Sequence, residues 1–184
     1  MALISKAFLK RQSSVAYKSL DDAERLLKRS SANFNARDRY DVFLSHRKLD
    51  AREVLALKEI IESQGLSVYV DWVENPELDR ANVTPTTAAH LRNVMDRCGS
   101  LLYAISVNSG ESKWMPWELG YCDARHGKVA IVPVSDAELI SDSYQGQEFL
   151  GLYPYISASS LQGAQAYLRV NRTGSQPVSL KSWI

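Results

Sequence analysis

Residues 100–107 read SLLYAISV. Apart from its two serines the run is apolar, and it is too short for most helices. Such a run fits a strand covered on both faces, as in a parallel sheet. Reading outward finds the same kind of segment on either side: KVAIVPV at 128–134, LSVYVDW at 66–72 and YDVFLS at 40–45. Between these runs the apolar residues shift to helical spacing. Val54, Leu55, Leu57, Ile60 and Ile61 lie within 52–64, which Gly65 closes; Ala88, Leu91, Val94 and Met95 lie within 86–98. A third helix is expected over 116–126, with Pro116 suited to its first turn and Gly127 to its end. QEFLGLYPYI at 147–156 is expected to be a fifth strand or strand-like edge, 160–170 a final helix, and the tail from Asn171 loosely held.

Strands alternating with helices through short connections predict an α/β fold, a parallel five-stranded sheet with helices on both faces. Right-handed crossovers give it the flavodoxin-like order 2-1-3-4-5. The main domain is expected over 39–170, between an extension at 1–38 and a tail at 171–184. Residues 1–39 hold nine Lys/Arg against four acids, a local balance of +5 in a chain of net charge +1. Within them Leu20, Ala23, Leu26 and Leu27 follow Ser19 at helical spacing, which predicts a short amphipathic helix ending near Ser30.

In such a sheet ligands bind beyond the carboxyl ends of the strands, where the strand order reverses. Three stretches converge there: Ser45-His46-Arg47, Asn108-Ser109, and the segment leading into Pro116-Trp117-Glu118, with Asp71-Trp72 on the neighbouring rim. Glu118 is expected in the first turn of its helix, where the dipole favours an ionised carboxylate. A fixed anion there suits a cationic, oxocarbenium-like transition state. It also suits a first-turn residue that merely complements the dipole.

Several classes are disfavoured. No apolar run reaches the roughly 18 residues of a membrane span, and Lys6, Lys10 and Arg11 break any secretory signal, so a cytoplasmic protein is expected. Net charge gives no reason to expect nucleic acid. Cys98 and Cys122 sit in apolar helical patterns and read as buried free thiols; His46, His90 and His126 show no ligand spacing with them, so no metal is expected. No GxGxxG follows a strand, which argues against a dinucleotide-binding dehydrogenase. Ser106-Val107-Asn108 offers no acidic acceptor for a phospho-receiver.

Taken together, these residues resemble a TIR domain. Tyr40-Asp41-Val42-Phe43-Leu44-Ser45-His46 resembles the family's opening strand motif. Ser112-Lys113-Trp114-Met115-Pro116-Trp117-Glu118-Leu119 resembles the Ser-x-Trp-Cys-x-x-Glu-Leu motif of NAD-cleaving members, with Met115 in place of Cys. VYVDW at 68–72, ELGYCDA at 118–124 and YQGQEFLGLYPY at 144–155 are similar to the stand-alone bacterial TIR proteins of the Thoeris antiphage system. The similarity covers roughly residues 39–156. The Arg-Asp-x-x-Pro-Gly loop of the family is absent, its place taken by Glu74-Asn75-Pro76-Glu77-Leu78-Asp79-Arg80, and the terminal Phe-Trp motif is missing.

The resemblance implies cleavage of the nicotinamide–ribose bond of NAD, with NAD as substrate and no further cofactor. The product would be an ADP-ribose-derived signal, often cyclic, that acts on a separate effector protein. Glu118 would be the catalytic glutamate. Ser45, His46 and Arg47 would line the nucleotide pocket, with Arg47 offering a fork of donors to phosphate. Trp114 or Trp72 would wall a base or the nicotinamide. Asn108 lies at the same crevice, and Asp71 is either a ribose ligand or a turn-former. A non-catalytic TIR module that only assembles with other TIR domains is the alternative.

Overall fold

The computed structural model describes residues 2–12, 39–46, 51–70, 84–106, 112, 114–136, 144, 148–159 and 166–184. The helix expected near 20–30, most of the loop at 73–85, and Arg47, Asp71, Trp72 and Asn108 lie outside the described residues.

Eight strands are described: β1 (Ile4–Ser5), β2 (Tyr40–Ser45), β3 (Val68–Tyr69), β4 (Cys98–Ile105), β5 (Val129–Ser135), β6 (Tyr155–Ser159), β7 (Tyr167–Asn171) and β8 (Val178–Ser179). The helices are α1 (Lys6–Gln12), α2 (Ala51–Ser63), α3 (Pro85–Asp96), α4 (Trp114–His126) and α5 (Leu180–Trp183). The sheet runs β3-β2-β4-β5-β6-β7-β8. Its first five members are parallel, so the expected order 2-1-3-4-5 is present. Two antiparallel strands extend it at one edge. β1 pairs with the end of β5, Ile4 opposite Val134, so the N-terminal residues are built into the sheet.

The central strands are buried on both faces, which is why their sequences run almost continuously apolar. On one face Val42, Leu44, Leu102, Ala104, Ala130 and Val132 pack with Val54, Leu55, Leu57 and Ile61 of α2. On the other Phe43, Leu101, Tyr103, Val129 and Ile131 pack with Leu91, Val94 and Met95 of α3 and Met115, Leu119 and Cys122 of α4. Strand alternation decides the assignment, since successive side chains point to opposite faces.

Three expectations are corrected. The fifth strand does not begin at 147: Glu148–Leu152 is a 3-10 helix, and β6 starts after Pro154. Proline has no N–H for the ladder, so pairing begins beyond it. The final helix over 160–170 is absent from its described part, where Tyr167–Asn171 forms a strand. Leu168 and Val170 are buried while Tyr167 and Arg169 are exposed, a period of two. The tail is not loose: Leu180 is fully buried and Trp183 nearly so. Lys128 Nζ donates to the Trp183 carbonyl and lies over its ring.

Candidate active site

The strand order reverses between β2 and β4, which leave in opposite directions along the sheet. β2 ends at Ser45-His46, β4 at Ile105, and α4 begins at the same edge. Met115 N–H donates to Ser112 Oγ at 3.2 Å, an N-cap bond that starts α4 at Trp114, two residues earlier than expected. Glu118 therefore lies in the second turn, and the first turn holds no acid. A helix dipole acts within the first turn, so it does not account for a carboxylate there.

What holds Glu118 is the sheet. The buried residues of α4 are Met115, Glu118, Leu119 and Cys122, the i, i+3, i+4, i+7 stripe of a core-facing helix. Glu118 takes a stripe position that the pattern would fill with an apolar residue, and its exposure is 0%. Ser45 Oγ, itself fully buried, donates to Glu118 Oε2 at 2.6 Å. That length is at the short end of the range for a hydroxyl donor on oxygen.

The carboxylate marks its neighbours. Burial first, then the charge of Glu118 and that of Tyr144, raises the Tyr103 phenol above its ordinary pKa. Burial pushes the Cys122 thiol up to about 12, with Glu118 and Asp96 adding to it. Tyr103 therefore belongs to the surroundings of Glu118, though it does not stand out in the sequence as a site residue. Only the strand register, Ser45 opposite Tyr103, shows that β4 presents a phenol beside the serine.

Of the other expected residues, His46 is 1% exposed. Its Nδ1 lies 2.8 Å from the Leu44 carbonyl. A carbonyl only accepts, so Nδ1 carries the proton and the ring closes the end of its own strand. Trp114 is half-buried and meets Trp117 edge to face, centroids 5.4 Å apart; Trp117 stacks on Tyr121 at 5.9 Å. This ladder runs along α4 away from Glu118 and ends where Tyr121 Oη and Arg125 Nε both donate to Asp96. Ser45 and Glu118 are thus brought into contact, and Trp114 starts the same helix. A cleft of about 340 Å³ lies elsewhere, where α4 ends, lined by His126, Lys128, Arg172 and Trp183. Among the described residues no cluster of His, Cys, Asp and Glu would hold a metal.

No family model matches the sequence. Two curated proteins are similar to it. A protein of Bacillus cereus (strain MSX-D12), named probable 3′ cyclic ADP-D-ribose synthase ThsB′, is 43% identical over 183 residues, 99% of this chain and 94% of that one. A protein of Cytobacillus dafuensis, named putative cyclic ADP-D-ribose synthase TIR2, is 31% identical over 98 residues, 52% of this chain and 26% of its own.

Proposed function

The chain belongs to the family of ThsB′-type TIR proteins of the Thoeris system, and on that premise we propose that it cleaves NAD at the nicotinamide–ribose bond. The observation that carries the reading is the Glu118 carboxylate, set in a core stripe at the switch-point edge and held by Ser45. Burying an ion costs several kcal/mol, roughly, unless good partners offset it. Breaks in an otherwise consistent pattern tend to mark function.

The chemistry follows from the charges. When the C1′–N bond breaks, its electron pair goes to the pyridinium nitrogen and nicotinamide leaves neutral. The cation is left on the ribose. A fixed carboxylate stabilises that developing charge and needs no reorganisation to do so. Because the leaving group needs no proton, no second acid is required. A hydroxyl of the same ADP-ribose then adds at C1′ and loses its proton, closing a ring, wherever the pocket excludes water. The ThsB′ relative is named for a 3′ cyclic product, which makes a cyclic isomer the expected product here. Since Glu118 is fully buried, the side chains above it must move before substrate reaches it. Arg47, Asp71, Trp72 and Asn108 remain the proposed pocket rim, and Trp114 a proposed wall. The product is proposed to act as a signal on a separate effector in the cytoplasm, and self-association through TIR surfaces is proposed for the active form. No described helix is long and apolar enough to cross a membrane.

The test is incubation with NAD, alone and in lysate of phage-infected cells, with mass detection of products. Wild type should release nicotinamide and Glu118→Gln should not. Gln keeps the shape and removes a buried charge, so its melting temperature should equal or exceed that of wild type. Nicotinamide release at wild-type rate by Glu118→Gln would falsify the assignment.

A further inference from the structure

Tyr103 has no role in the reaction as derived so far. It stands on β4 opposite Ser45 in the parallel register. Paired residues share a face, and neighbouring strands lie about 4.8 Å apart. Ser45 uses that face to reach Glu118, and Tyr103 packs there with Leu101, Met115 and Ile131. The phenol therefore projects into the layer that holds the carboxylate, whose charge acts on it.

The rest of the ring is satisfied: it is 4% exposed and surrounded by apolar neighbours. The hydroxyl is different, with no hydrogen bond to any described residue acting on it. Buried tyrosines usually place that hydroxyl on a partner. Two tyrosines packed against this layer do so: Tyr121 binds Asp96 and Tyr153 binds Asp123. The hydroxyl is thus a hydrogen-bonding group beside the carboxylate that no described residue engages, which leaves it to a ligand that arrives from outside.

We propose that the Tyr103 hydroxyl contacts the substrate, hydrogen-bonding the ribose whose C1′ faces Glu118 and fixing its orientation against the carboxylate. This rests on the NAD-cleaving reading. The phenol stays protonated through the neutral range, because both its burial and the carboxylate charge oppose ionisation. It is then a neutral donor to a sugar oxygen and adds no second anion beside the first.

Tyr103→Phe removes the hydroxyl and keeps the ring. Tyr121→Phe is the control, since Tyr121 points to Asp96 instead of the site. Nicotinamide release should show kcat/KM about tenfold lower in Tyr103→Phe, the scale of one lost hydrogen bond to a neutral group. Tyr121→Phe should match wild type, and the melting temperature of Tyr103→Phe should not fall. NAD titrated calorimetrically onto Glu118→Gln should bind more weakly when Tyr103→Phe is added. Turnover by Tyr103→Phe within twofold of wild type overturns the proposal and leaves the enzyme reading intact. If wild type releases no nicotinamide, the enzyme reading fails and the titration alone decides. An unchanged dissociation constant, or no binding by either variant, then overturns the Tyr103 proposal too.

Discussion

Ser45 Oγ and Glu118 Oε2, 2.6 Å apart, come from positions 73 residues apart in the chain. The serine donates to this buried carboxylate, and removing one side of a buried pair is worse than removing both. Ser45→Ala should therefore cost about 1–3 kcal/mol of stability, read as a lower urea midpoint with unchanged slope. Ser45→Ala combined with Glu118→Gln should recover part of that loss, since the buried charge is gone. A double variant as unstable as the sum of the two single ones would show that the two residues are not coupled. Both residues were legible beforehand, one at a strand end and one in a motif. Their contact was not, because it needs the crossing of α4 over β2, which no local pattern records.

At the scale of elements, legibility followed the length of the periodic signal. The helices α2 and α3 and the strands β2, β4 and β5 carry long, consistent runs, and each formed where its pattern placed it. Short or mixed signals misled. Tyr-Leu-Arg-Val-Asn at 167–171 has only two buried apolar residues, too few to tell a period of two from 3.6 until β6 pairs with it. The segment 147–156 reads as a strand or strand-like edge, yet Glu148–Leu152 is a 3-10 helix and Leu152 is 82% exposed. The onset of α4 is set by Ser112 and not by Pro116, because the serine hydroxyl caps the helix before the proline is reached. The cap of α3 is plain in the structure. Thr84 accepts from the Thr87 N–H at 3.1 Å, and Pro85 follows at the first helical position. Thr84→Ala should destabilise by about 1 kcal/mol, measured by urea unfolding. Thr84→Ser, which keeps the acceptor, should lose only a few tenths. Equal losses from both would mean that the threonine methyl, and not the cap, supplies the stability.

For the whole molecule, the two covered faces of the sheet bring many ionisable groups into low-dielectric surroundings, and this gives the fold a preferred side of the pH scale. Burial first, then Glu118 and Asp96, pushes Cys122 from 9.0 to about 12. Burial first, then its hydrogen bond to Asp123, takes Tyr153 from 10.0 to about 12. Tyr103, Tyr121 and Tyr144 move in the same direction, with burial the largest cause. In each case the fold holds a proton that the unfolded chain gives up sooner. The stabilisation is complete below the unfolded values, thus below about pH 9 for the thiol, and is lost as pH rises toward the folded values near 12. The slope follows from linkage: Cys122 alone contributes up to about 1.4 kcal/mol per pH unit inside that window. Urea unfolding at pH 8, 9.5 and 11 should show a falling midpoint. Cys122→Ala should be less stable at pH 8, by roughly 1–2 kcal/mol for the small cavity it leaves, yet decline more gently above pH 9. A decline as steep as that of wild type would mean that the tyrosines, not the thiol beneath Glu118, set the alkaline limit. In that case Tyr153→Phe should be the variant that flattens it.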